Sequence, residues 1–257
     1  MTLTASLSAL LPEALSHSST AILIVSSFFT ALMTATIGIG GGMLLLAIMA
    51  NMLPALAIIP IHGLVQASAN GNRALITRNH IHPGTLADFT SGALVGAAVA
   101  SLLVIQLPVQ SIQLSVAVFV LYLTWGPPLK LRYLSGWPLR IAAATTTLIS
   151  MFVGASGPMV AAFVKQISNE RFARVATFSA CMAVQHSLKL VVFGLLGFAF
   201  QDWIGLIVLM ILSGFAGTWV GLHLLSRLNN RVFDYAFKVV LSMLACKLLI
   251  DGLIELS

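Results

Sequence analysis

Apolar residues in this chain come in long, unalternating runs separated by short polar breaks. Runs of that kind predict lipid-buried α-helices, because a membrane β-barrel would need short segments alternating apolar and polar positions. The first run covers about Thr20 to Ile37 and ends in Gly38-Ile39-Gly40-Gly41-Gly42. A short run, Met43 to Met52, follows, then Pro54 and Pro60. A more polar helix is expected over about Ile61 to Ile81, carrying Gln66, Ser68, Asn70, Asn72 and Arg73. Asp88 to Leu107 and Val109 to Trp125 read as spans, and Gly126 to Trp137 as a loop with Pro127, Pro128, Lys130 and Arg132. The pattern then restarts. Leu139 to Val153 is apolar and ends in Gly154-Ala155-Ser156-Gly157-Pro158, and the short run Met159 to Ile167 follows. After a basic loop with Asn169, Glu170, Arg171 and Arg174 come three long helices, about Val175 to Phe200, Trp203 to Leu225 and Val232 to Leu253.

The restart is an internal duplication. A shift of 116 residues places Gly38 on Gly154, Gly41 on Gly157, Asn70 on His186 and Arg73 on Lys189. With a few inserted residues, Gly92 and Gly96 fall on Gly217 and Gly221. Each run after a glycine cluster is only about ten residues, about 15 Å of helix, or half a hydrocarbon core. Each cluster is therefore read as the tip of a re-entrant or broken-helix hairpin, followed by three spans. An odd number of crossings per copy inverts the second copy relative to the first. The expected fold is an all-α polytopic membrane protein of two inverted repeats. Residues 1–257 form a single transmembrane domain, with repeats over 20–125 and 138–253. The alternative is that the first hairpin is two full spans.

Composition supports a membrane protein. Charged residues make up only 8 % of 257 and apolar residues 59 %, with mean hydropathy +1.02. A soluble domain carries roughly a quarter charged residues. That excludes an ordinary cytosolic enzyme, a disordered chain and a coiled coil. The net charge of +6 would suggest nucleic acid in a soluble protein, but most basic residues here lie between the apolar runs. Under the inverted arrangement one side receives Arg78, Lys130, Arg132, Arg140, Arg171, Arg174, Arg227 and Arg231. The other receives both ends of the chain, the region around Pro54, and the turns at Leu107-Pro108 and Gln201-Asp202, which contain no Lys or Arg. The basic side is then cytoplasmic and both termini are not. The first twenty residues hold Glu13 and His17 but no basic residue, so they read as a retained lead-in rather than a secretory signal. Cys181 and Cys246 lie in apolar runs without metal spacing and read as packing residues.

Candidate chemistry centres on the paired features. Arg73 and Lys189 fall near mid-helix, where an ionisable group is costly and persists by pairing, by snorkelling or by lining a polar path. Neither helix has an acid apart from its ends. An anion-facing role is favoured over pairing. At the glycine clusters, Gly40, Gly41, Gly42, Ser156 and Gly157 precede short helices whose first N–H groups lack intrahelical partners and attract anions. Pro158 suits the first turn of such a helix. Gln66, Asn70 and Arg73 share one helical face, as do His186 and Lys189 with Gln185 beside them. His186 is a candidate for proton coupling, although a plain hydrogen bond is the commoner role for such a residue. Gly92/Gly96 and Gly217/Gly221 read as close helix contacts. His62, Asp88 and Glu170 read as interfacial. No H-E-x-x-H, Walker-type or G-x-S-x-G pattern occurs, so no catalytic residue, metal or cofactor is expected.

The pattern Ile37-Gly38-Ile39-Gly40-Gly41-Gly42 resembles the sulfite exporter TauE/SafE family, also called the 4-toluene sulfonate uptake permease family. So does its second copy, Val153-Gly154-Ala155-Ser156-Gly157-Pro158, with the polar, basic helix that follows; the likeness covers roughly residues 20 to 250. Ser156 departs from the glycine pattern. The resemblance implies a plasma-membrane carrier, in the bacterial inner membrane, for small sulfur-containing anions such as sulfite or organosulfonates. Alternating access of one repeat against the other is expected, with export the favoured direction. The expected partners are a small anion and the bilayer, with protons a candidate coupling ion and no nucleic acid; the oligomeric state stays open. An anion channel, a carrier for another anion, an intramembrane enzyme and a subunit active only with a partner are the rival readings.

Overall fold

The computed structural model describes residues 12, 15–37, 40–103, 109–127, 134–164, 166–168, 170–224 and 230–254. Most of the amino-terminal lead-in, Gly38, Ile39, Leu107, Pro108, Lys130, Arg132, Asn169 and Arg227 lie outside those residues, as do the side chains of Arg171 and Arg231. Every regular element among the described residues is helical.

The first half runs α1 (His17–Ile37), α2 (Gly41–Ala50), α3 (Ala55–Ile76), α4 (Pro83–Leu103) and α5 (Val109–Trp125). The second runs α6 (Trp137–Val153), α7 (Gly157–Val164), α8 (Arg171–Leu195), α9 (Ile204–Leu224) and α10 (Asn230–Ile254). Single 3-10 turns at Arg78–His80 and Phe200–Trp203 close α3 and open α9. The expected order is present, and most boundaries shift by a few residues. The largest shift is in α3, which begins at Ala55 and runs through Pro60 rather than starting after it. Pro60 stands in the second turn, where its missing N–H removes only one bond near a helix end. Pro54 caps that end with φ −54°, pre-set for the turn.

Four stretches are long and apolar enough to cross a membrane: His17–Thr36, Pro83–Leu103, Phe172–Leu195 and Phe200–His223. Their outward faces stay apolar, with Phe29, Leu102, Leu195 and Trp219 all exposed. In water such a surface would aggregate; in lipid it is the solvated face. α2 differs. It is ten residues long, and Leu45, Leu46 and Met49 are at most 1 % exposed. A helix of about 15 Å cannot cross the hydrocarbon, and this one is enclosed by α1, α3, α5 and α10.

Helix pairing is the same in both halves. α1 packs on α9 and α6 packs on α4, while α3 meets α8 and α5 meets α10 across the middle. Exchanging the halves turns each contact into another of the set. Glycine sets the closeness of the first two contacts. A Cβ on Gly92 or Gly96 of α4 would strike the backbone of Arg140 or Ala144 in α6. One on Gly217 or Gly221 of α9 would strike the backbone of Phe28 or Leu32 in α1. Serine hydroxyls bridge the α1–α9 contact. Ser27 donates to the Met210 carbonyl at 2.7 Å, and Ser213 donates to the Ile24 carbonyl at 2.7 Å.

Asp88 sits one turn into α4 and clamps the start of α6. Its Oδ1 accepts from Arg140 Nε at 2.9 Å and its Oδ2 from the Gly136 amide at 2.7 Å. Asp88 is thus half-buried and paired rather than a plain interfacial residue. The Arg140 side chain is 42 % exposed, so solvent weakens the pair. Asp88→Asn should lower the melting temperature slightly, mostly through the charged bond to the amide. Thermal unfolding in detergent, with Arg140→Gln and the double variant, isolates the pair energy.

Candidate functional site

Two glycines with positive φ turn the chain at the hairpin tips. Gly40, at φ 103°, precedes α2, and Gly154, at φ 82°, ends α6. Side chains beyond glycine rarely adopt that region. The starts of α2 and α7 then match at the 116-residue shift. Met43 and Leu44 amides donate to the Gly40 carbonyl, and Met159 and Val160 amides to the Ser156 carbonyl. The preceding amides, Gly41, Gly42 and Gly157, have no place in the helical ladder, and Pro158 has none to offer. Gly41 is required for packing, since a Cβ there would collide with the Thr30 carbonyl and the Thr34 hydroxyl of α1.

A narrow cavity of about 30 Å³ lies between the tips. One water needs roughly 10–15 Å³ on that scale, so the space suits a very small group. Thr34, Gly40, Gly42 and Met43 line it from the first hairpin, and Ala155, Gly157 and Pro158 from the second. His62, Gln66 and Asn70 reach it from α3, and Phe178, Met182 and His186 from α8. Each half thus supplies one tip and one long helix.

Six of the eleven candidate residues line this cavity: Gly40, Gly42, Gln66, Asn70, Gly157 and His186. The other five, Gly41, Arg73, Ser156, Gln185 and Lys189, are buried behind it. Arg73 is 1 % exposed and does not snorkel. Its guanidinium donates to Asn70 Oδ1 and to Ser179 Oγ, each at 3.4 Å, and its Nε has no partner. Asn70 in turn donates to the Gln66 side chain at 3.1 Å and to the Gln66 carbonyl at 2.9 Å. The Gln66 amide lies flat against Gly42, 3.2 Å from where a Cβ would stand. The Arg73 charge therefore reaches the cavity wall through two amides.

Lys189 follows a different route. It is fully buried, passes over Gly63 of α3, and donates to the Gly154 carbonyl at 2.5 Å. That carbonyl is at the C-terminal end of α6, where the dipole favours a cation. Among the described residues no carboxylate pairs with Arg73 or Lys189; the ion pairs found are Arg140–Asp88 and Lys247–Asp251. Ser156 and Gln185 form a brace rather than a wall. Ser156 donates to Gln185 Oε1 at 2.5 Å, and Gln185 Nε2 donates to Thr147 Oγ1 at 3.0 Å, tying α6, the second tip and α8 together.

His62 corrects the sequence reading. It is 1 % exposed, lines the cavity and donates from Nε2 to the Gly42 carbonyl at 2.8 Å. Its ring meets His186 edge to face, centroids 5.6 Å apart. The signal was present in the spacing: His62, Gln66, Asn70 and Arg73 continue one face of α3 at intervals of four, four and three. A helix expected to start at Ile61 puts His62 at its end, whereas α3 starts at Ala55 and puts it inside. Thr34, Phe178 and the two methionines carry no sequence signal that separates them from packing residues. Glu170 is exposed at the start of α8, as an interfacial residue would be.

Comparison with family models matches residues 23–248 to the sulfite exporter TauE/SafE family. No curated protein and no solved structure gives a significant match.

Proposed function

The chain belongs to the sulfite exporter TauE/SafE family, whose members are membrane transporters of sulfur-containing anions, and on that premise we propose that it is a secondary carrier holding one small oxyanion between its hairpin tips. It is a multi-pass membrane protein of that family. The reading rests on the cavity between the tips, walled by amide and imidazole groups and backed by two cations without acidic partners. A bare anion leaving water loses several kcal/mol of hydration, and fixed positive charge in a dry site offsets that loss. The Gly42 and Gly157 amides, the Gln66 amide and His186 line the cavity and supply hydrogen bonds at close range. Arg73 and Lys189 supply field from behind.

The size of the cavity favours sulfite over an organosulfonate. A space of about 30 Å³ widens to a four-atom anion by small shifts, and to an arylsulfonate only by parting the tips. A space this small also favours a carrier over an open pore. The paired contacts α1–α9 with α6–α4, and the central α3–α8 pair, support two inverted repeats over 20–125 and 138–253 that rock about the α3–α8 seam. We place the protein in the plasma membrane, with both termini outside and export as the working direction. Arg140 over Trp137 and Lys238 over Trp125, at 5.3 and 5.4 Å, fit the basic, aromatic-anchored face expected at the cytoplasm. Lys247 lies toward the other end of α10, where Asp251 at 2.6 Å neutralises it.

Purified protein in liposomes is the test, with labelled sulfite, methanesulfonate and sulfate, each with and without a pH gradient. Saturable uptake of sulfite that a gradient accelerates is the expected result, and it supports a proton-coupled carrier. Uptake that does not saturate would replace the carrier by a channel. Uptake of none of the three by folded protein would overturn the sulfur-anion reading for this chain.

A further inference from the structure

His62 has one nitrogen whose role the fold fixes and one that it leaves open. Nε2 faces the Gly42 carbonyl at 2.8 Å, and a carbonyl only accepts, so Nε2 carries the hydrogen. In the neutral ring Nδ1 is then a bare acceptor. Nδ1 is buried and makes no hydrogen bond, with the Gly154 carbonyl also facing the ring, in a residue that is 1 % exposed and lines the cavity. An unpaired buried acceptor costs about 1–3 kcal/mol, which a ligand with a hydrogen to give recovers. A fully deprotonated oxyanion gives none, and its oxygens are repelled by the nitrogen lone pair.

Resting on the carrier reading, we propose that His62 is a specificity-determining substrate ligand that accepts a hydrogen bond from the anion, so that the site selects a protonated oxyanion, hydrogen sulfite, against sulfonates and sulfate. Charged and titratable groups surround the ring. Lys189 and His186 face it from α8, and Arg73 lies further along α3. From α1, α2, α6 and α7, no acid among the described residues faces it. A positive charge on the ring would add to those cations without a counter-ion. The same geometry makes the transported proton travel on the substrate. The position matching His62 in the second repeat is Phe178, whose ring has no acceptor, but α8 brings His186 to the same cavity, and its buried Nδ1 is likewise without a partner.

Binding of sulfite and of methanesulfonate to the full chain in detergent tests this, between about pH 5.5 and about pH 8.5. Sulfite loses its proton within that window and methanesulfonate carries none throughout. Wild-type affinity for total sulfite is expected to fall by up to about tenfold per pH unit at the alkaline end, while methanesulfonate stays weak and nearly flat. His62→Phe should bring the two ligands within a few-fold of each other. If the variant does not fold, the wild-type pH series decides alone. Equal binding of both ligands at the acid end, or sulfite affinity that is flat or rises with pH, overturns the proposal and leaves the carrier intact. Binding of neither overturns the carrier reading with it.

Discussion

Lys189→Met and Arg73→Met are each expected to cut initial sulfite uptake by about ten- to a hundredfold, the equivalent of about 1.5–3 kcal/mol for a lost charged interaction. Both cations stand behind the cavity without an acid, so their field is spent on whatever enters it. Methionine keeps the length of the stem and removes the charge. The fold should survive in both cases. Removing a desolvated charge relieves a burial cost, while Lys189→Met leaves the Gly154 carbonyl unpaired at about 1–3 kcal/mol. Those effects oppose each other, so the melting temperature in detergent should move little. Reduced uptake with normal melting ties the loss to the anion. If both variants fold and carry sulfite at the wild-type rate, the cationic frame does not hold the substrate. Arg73→Met has a second expected signature, because Asn70 loses its donor and Gln66 its brace. It should raise KM more than Lys189→Met does, since it disturbs a wall as well as a field.

Gly217→Ala and Gly96→Ala are expected to prevent accumulation of folded protein. In each case the new methyl would overlap a backbone carbonyl of the facing helix, Phe28 in α1 or Ala144 in α6. Backbone cannot turn aside as a side chain can, so the helices must separate along their length. Overpacking typically costs about 1–3 kcal/mol where side chains can yield, and more where they cannot. The separation also strains the bond from Ser27 to the Met210 carbonyl, two turns from Gly217 along α9. Gly71→Ala is the control. It stands in α3 with nothing within 4 Å of the added atom, and should be neutral or stabilise by up to about 1 kcal/mol. Monodisperse yield in detergent and melting temperature read all three. Normal yield of Gly217→Ala would mean that α1 and α9 lie further apart than described here.

The kind of protein and the order of its helices are legible in the apolar runs alone. Those properties are local or repeated: a run of apolar residues is a helix in lipid wherever it packs, and a glycine pair at one offset marks the same turn twice. The sequence also singled out Gly40, Gly42, Gln66, Asn70, Gly157 and His186, because polar groups stand out in an apolar stretch. Tertiary structure decided which of the marked groups meet. Arg73 and Lys189 looked like ligands, but their long side chains fold back onto Asn70, Ser179 and the Gly154 carbonyl, because a buried cation takes the nearest acceptor. Ser156 and Gln185 satisfy each other and so leave the wall. His62 became a cavity residue once α3 was seen to begin at Ala55, a matter of one proline tolerated in the second turn. Which acceptor lies nearest depends on the distance between helices far apart in the chain. That distance is set here by Gly92, Gly96, Gly217 and Gly221, whose missing side chains let α4 meet α6 and α9 meet α1 backbone to backbone.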